Sequence, residues 1–160
     1  MEYGPRALGA RSILINPGDR EINDSVNKRL SRTEFMPFAP FIREERADEV
    51  FEITPSNRKA MDFMTITTMV KPEWTERIAA VVHIDNTARP QIIRREDNPL
   101  YYDLLERFEQ LTDLPCLVNT SFNAHEEPII NTPEEALNAL RNDRTDYLIT
   151  DFAIYGRPKN

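Results

Sequence analysis

Residues 98–119, Asn-Pro-Leu-Tyr-Tyr-Asp-Leu-Leu-Glu-Arg-Phe-Glu-Gln-Leu-Thr-Asp-Leu-Pro-Cys-Leu-Val-Asn, decide the fold class. Asn98 is a good N-cap and Pro99 a good first helical residue, so a helix opens here and runs to Leu111. Leu100, Leu104, Phe108 and Leu111 recur at helical spacing and predict its buried stripe. The apolar run at residues 114–119 then reads as a buried strand, followed by a polar loop over 120–128. Thr132-Pro133-Glu134-Glu135 carries a capping box and starts a second helix through Leu140. Residues 147–150 and 152–155 read as closing strands.

Upstream, residues 12–16 read as a short strand closed by the turn Pro17-Gly18-Asp19. Asp19 then caps a helix to Leu30, with Ile22, Val26 and Leu30 on one face. Residues 38–42 are apolar but interrupted by proline, which predicts an edge strand or a rigid bend. Residues 47–51 predict a short helix, and residues 55–58 an exposed loop. The β-branched run 65–70 predicts a strand, as do 79–84 and 88–93, with a turn at Asp85-Asn86-Thr87. Helices and strands alternate without a repeat, so the class is α/β or α+β, in one domain spanning 1–160.

The chain has 160 residues, enough for one compact domain with its own core. Its net charge of −7 argues against a general nucleic-acid or membrane-surface binder, because both need a basic face, but leaves room for a small basic pocket. Cys116 is the single cysteine and sits in an apolar run, so it reads as a buried structural thiol. No run is long enough to span a bilayer and no signal peptide stands out, which points to a cytoplasmic protein.

Three clusters carry candidate chemistry. Two of the four glycines, Gly4 and Gly9, fall in the opening stretch beside Arg6 and Arg11. Glycine allows close backbone approach, and guanidinium forks suit phosphate or carboxylate oxygens. An anion site and two surface arginines beside a turn both fit this pattern. The second cluster is Lys28, Arg29 and Arg32, which equally suits a solvated helix face. Arg89 is a third possible anion ligand. The last cluster is Asn119-Thr120-Ser121-Phe122-Asn123, at the end of a buried strand where α/β sheets place ligands. Turn and cap chemistry uses the same residue types. No Walker lysine pattern or dinucleotide fingerprint is present. Neither a Ser121-His83-Asp85 triad nor a metal site from His83, Asp85 and His125 has a supporting framework.

Together these motifs resemble the C-terminal domain of the O-carbamoyltransferases, the group that includes nodulation-factor and antibiotic carbamoyltransferases. The resemblance rests on the opening Glu2-Tyr3-Gly4-Pro5-Arg6-Ala7-Leu8-Gly9-Ala10-Arg11-Ser12 and on Pro37-Phe38-Ala39-Pro40. It continues through His83-Ile84-Asp85 with Thr87-Ala88-Arg89, and Asn119-Thr120-Ser121-Phe122-Asn123 with Glu127-Pro128-Ile129. It implies a YrdC-like fold, a twisted mixed open sheet with flanking helices, here lacking the strand that leads into Gly4-Pro5-Arg6.

The resemblance further implies that ATP, with Mg²⁺, and carbamoyl phosphate are combined into carbamoyl adenylate. A separate Kae1-like domain, absent from this chain and supplied in cis or in trans, then moves the carbamoyl group to a hydroxyl. Arg6, Arg11 and Arg89 would act at the reacting centre, with Arg32, Lys28, Thr120, Ser121 and Asn123 holding the substrates. No protein-bound metal is expected in this domain. Ser31 and Met36 stand where many relatives carry further basic residues. The isolated chain is not expected to complete transfer. The alternative is a non-catalytic nucleotide-binding or interaction module that keeps only the fold. A sheet edge left open by the absent strand would favour self-association.

Overall fold

The computed structural model describes residues 7–32 and 38–157. The opening Arg6, with Gly4 and Pro5, and Pro37 of the Pro-Phe-Ala-Pro element lie outside the described residues. In chain order the elements are β1 (Ser12–Ile15), α1 (Glu21–Arg29), β2 (Ala39–Arg43), α2 (Glu44–Val50) and α3 (Arg58–Met61). There follow β3 (Thr68–Met69), β4 (Thr87–Ala88), β5 (Gln91–Ile93), α4 (Pro99–Thr112) and β6 (Cys116–Ser121). The chain continues with α5 (Pro133–Arg141), β7 (Tyr147–Ile149) and β8 (Ile154–Gly156).

A four-stranded sheet in the order β1-β6-β2-β5 organises the molecule. β6 runs antiparallel to both β1 and β2, whereas β2 and β5 are parallel. The fold is therefore mixed α/β, with a mixed open sheet and flanking helices. Adjacent residues on a strand face opposite sides of a sheet. Accordingly Ile42, Cys116 and Val118 join a large core with Leu30, Phe38, Val50, Phe51, Met61 and Ile78. Phe41 and Leu117 join Ile93 and Leu105 beneath α4 on the opposite face. Two smaller hairpins, β3-β4 and β7-β8, stand apart from this sheet.

Several expectations hold. Asp19 is in part an exception, since Arg20 takes the N-cap position of α1 without a side-chain cap and Asp19 Oδ1 accepts the Glu21 backbone N–H at 2.8 Å one residue ahead of it. Asn98 Oδ1 caps α4 by accepting from the Tyr101 N–H. Cys116 is buried, and desolvation pushes its thiol far above the ordinary range, which leaves it inert. The Thr132 capping box is complete: Thr132 Oγ1 accepts from the Glu135 N–H, and the Glu135 carboxylate accepts from the Thr132 N–H at 2.9 Å. Thr132→Ala should therefore lower stability by about 1 kcal/mol in a denaturant titration.

Other expectations are corrected. Residues 38–42 form neither an edge strand nor a bend, since β2 lies in the interior of the sheet. Pro40 is tolerated because pairing with β5 begins only at Phe41, so at Pro40 a single ladder, to Val118, is present. Residues 79–84 are not a strand. Ala79–Val81 form a buried 3-10 turn in which the Ala80 N–H donates to the Pro17 carbonyl at 3.0 Å. The 88–93 run is split into β4 and β5 around Pro90, and the 65–70 strand shrinks to Thr68–Met69. On α4, Leu100 and Leu111 are 64% and 70% exposed, and Tyr102 and Leu105 take the buried positions instead. Thr120 and Ser121 belong to β6 rather than to the loop. Among the described residues no helix is long and apolar enough to cross a membrane.

Candidate anion-binding site

The strand directions bring the separated motifs to one end of the sheet. β6 ends at Ser121, beside the start of β1, where Ser12 pairs with Ser121. β2 starts at the same end, with Ala39 opposite Asn119, and the parallel β5 starts next to it with Gln91 opposite Phe41. Arg11 precedes β1, Phe38 precedes β2 and Arg89 precedes β5, so all three approach this end.

Arg32 reaches the same place from α1. The helix closes with the Arg32 N–H donating to the Asn27 carbonyl and the Ser31 N–H to that of Lys28. Ser31 adopts a φ of 55°, the left-handed conformation that such a closure requires. Arg32 then donates from Nη2 to Thr120 Oγ1 at 3.0 Å and lies 5.4 Å over the Phe38 ring. Burial pushes its guanidinium below the usual range. Among the described residues it makes no ion pair with a carboxylate, whereas the neighbouring Arg29 is bound to Asp143 and Asp146. Arg43, Arg58, Arg94 and Arg144 likewise have acidic partners. A half-buried guanidinium held only by a hydroxyl and an aromatic ring has the chemistry to meet an anion.

The opening segment is held by three side chains that motif reading did not single out for this role. Asn119 Nδ2 donates to the Ala7 carbonyl, Gln91 Nε2 to that of Leu8, and the Tyr101 hydroxyl to that of Gly9. These three bonds are 3.0, 3.0 and 2.8 Å long. Asn119 and Gln91 are also bonded to each other, tying β6 to β5 across β2. Gly9 has a φ of 136°, and a Cβ there would stand 3.1 Å from the Tyr101 ring, so only glycine fits. The one signal in the sequence was polarity: Asn119 and Gln91 are amides within apolar strands, and buried amides need partners.

The remaining candidates are placed as follows. Ser121 ends β6, and its carbonyl accepts from the Asn123 N–H at 3.0 Å. Asn123 spends its amide donors on the Ala124 and Glu127 carbonyls, which shapes the loop after β6. Ser12 Oγ, Asn119 Oδ1 and Asn123 Oδ1 are buried without a hydrogen-bond partner, all at or near this end of the sheet. Lys28 is exposed on the last turn of α1, and no side-chain bond joins it to the others. Arg11 packs half-buried at the entry to β1, and its carbonyl accepts from the Phe122 N–H.

The molecule is thus a mixed α/β domain whose sheet end gathers arginines and hydroxyls around a glycine-containing segment. The family model described as carbamoyltransferase C-terminus matches residues 1–157, and the chain belongs to that family. It is 41% identical over 158 residues to an uncharacterized protein of Methanocaldococcus jannaschii, a match covering 98% of this chain and 25% of that protein. It is 38% identical to nodulation protein NolO of Bradyrhizobium diazoefficiens, covering 98% of this chain and 29% of the relative. Nodulation protein U of Azorhizobium caulinodans is 42% identical over 123 residues, 77% of this chain and 21% of the relative. The chain thus spans roughly a quarter of the length of these curated relatives.

Proposed function

We propose that this domain binds ATP and carbamoyl phosphate at the sheet end and joins them as carbamoyl adenylate, for transfer to a hydroxyl by a Kae1-like domain. The observation that carries the reading is Arg32, half-buried on Phe38 and Thr120 with no acidic partner among the described residues. Carbamoyl phosphate, ATP and water would give carbamoyl adenylate, phosphate and pyrophosphate, with a new bond from a carbamate oxygen to the α-phosphorus.

Two polyanions must meet for that bond to form, so charge neutralisation and alignment dominate the catalytic demand. Arg6, Arg11, Arg32 and Arg89 would share the phosphate oxygens, with Thr120, Ser121 and Asn123 orienting the reactants. Mg²⁺ would enter with ATP and shield its phosphates. The acidic exterior keeps the site selective for small anions over nucleic acid. Isothermal titration with ATP and with carbamoyl phosphate should show saturable binding, and a coupled assay should show pyrophosphate release only when both are present. Binding without pyrophosphate release would indicate a module that has kept the fold alone. No binding by the folded chain, with and without Mg²⁺, would sink the reading.

A further inference from the structure

The turn between residues 83 and 87 fixes the state of a histidine six positions ahead of Arg89. The His83 N–H donates to the Thr87 carbonyl at 2.8 Å and the Asn86 N–H to the His83 carbonyl at 3.0 Å, with Asn86 at a φ of 60°. Asp85 Oδ1 accepts both the Thr87 N–H, at 3.0 Å, and the Thr87 hydroxyl, at 2.7 Å. The hydroxyl's one proton is therefore committed to Asp85. His83 Nδ1 lies 2.9 Å from the same Oγ1, so in this contact Oγ1 must accept and Nδ1 must carry the proton. In the neutral ring Nε2 is then left with its lone pair.

Thr87 begins β4, and the next residues are Arg89 and Gln91, whose side chain holds the Leu8 carbonyl. The ring thus stands on the segment that leads directly into the sheet end. Burial holds His83 below the ordinary imidazole range; of the charges acting on the ring, Asp85 opposes this and Arg89 reinforces it.

The arginines and hydroxyls of the site supply donors to phosphate and carbonyl oxygens. A carbamoyl group differs from an acetyl group in presenting an NH₂, which needs an acceptor. We propose that His83, locked by Thr87 and Asp85 with its Nε2 lone pair free, is the specificity-determining acceptor that selects a carbamoyl phosphate over an isosteric acyl phosphate lacking the NH₂. The proposal rests on the carbamoyl phosphate reading above and adds to it the group that distinguishes that substrate.

The test has a spectroscopic and a binding arm. Nitrogen-15 spectra of the imidazoles, with only His83 and His125 to assign, should show His83 protonated on Nδ1 and bare on Nε2. The opposite tautomer overturns the proposal. Titrations of the wild-type chain with carbamoyl phosphate and acetyl phosphate should favour the former by roughly tenfold, the worth of one good hydrogen bond. His83→Phe should erase the preference, with an unchanged circular-dichroism spectrum and melting temperature reporting an intact fold. His83→Gln, whose amide oxygen can accept, should restore part of it, and Thr87→Val should weaken it by releasing Nδ1. Acidification through the His83 pKa should weaken carbamoyl phosphate selectively, because Nε2 becomes a donor. Equal preference in wild type and His83→Phe overturns the role of His83 alone. Failure of the wild type to bind ATP or either acyl phosphate overturns the functional reading beneath it as well.

Discussion

Arg32→Leu is expected to weaken ATP and carbamoyl phosphate binding by roughly ten- to a hundredfold, following the loss of about 1.5–3 kcal/mol from a charge-assisted contact. The same substitution should leave the melting temperature unchanged or raise it. The guanidinium is half-buried and desolvated, and among the described residues no carboxylate offsets that desolvation. Removing it therefore relieves a cost while Phe38 keeps an apolar neighbour. Arg29→Leu is the matched control, three residues earlier. Arg29 bridges Asp143 and Asp146 through its guanidinium, so its loss leaves two acids facing each other near Arg157. That variant should melt lower and bind normally. An Arg32→Leu protein that melts like wild type and binds both ligands with unchanged affinity would refute the site assignment. Arg32→Lys should fall between, because an ammonium keeps the charge but neither stacks on Phe38 nor forks toward Thr120 while holding an anion.

What made the fold legible was local chemistry written in adjacent residues. The caps at Asn98 and Thr132, the turn at Asp19 and the apolar run before Asn119 each depend on neighbours within four positions, and each forms as read. The departures arise where tertiary packing overrides local pattern. Pro40 argues for an edge strand, but one missing donor is tolerable where only one ladder runs. The apolar run at 79–84 cannot be told from a strand by periodicity, and the core uses it as a tight plug held by Pro17. On α4 the choice of buried face is made by Tyr101 and Tyr102, whose hydroxyls reach Gly9 and Glu45. The stripe of Leu100, Leu104, Phe108 and Leu111 leaves both tyrosines out, and Leu100 and Leu111 face outward.

The candidate site divides along the same line. Its members were visible as residue types, but their convergence depends on β6 running antiparallel to both β1 and β2. That relation places the end of one motif beside the beginnings of the others, and nothing in the spacing encodes it.

The largest stability effect should come from Asn119→Ala. Asn119 is 2% exposed, and its single amide nitrogen donates both to the Ala7 carbonyl and to Gln91 Oε1. Its loss strands two acceptors in the interior, at about 1–3 kcal/mol for each unsatisfied group. A loss of about 2–6 kcal/mol is expected, or a melting temperature lower by roughly 4–24 °C. Gln91→Ala should cost a comparable amount, since it releases the Leu8 carbonyl and one Asn119 bond. The double variant should fall well short of the sum, because the Asn119–Gln91 bond is counted in both single losses. Stability alone would not distinguish a packing role from a positioning one. The discriminating measurement is phosphate-ligand affinity at a temperature where each variant remains folded. The two amides hold the Ala7 and Leu8 carbonyls on the way to Arg11, so affinity should fall in step with the release of that segment, read as faster hydrogen exchange at residues 7–11. Additive stabilities with untouched affinity would show Asn119 and Gln91 to be core amides that merely satisfy one another, and would detach the opening segment from the site.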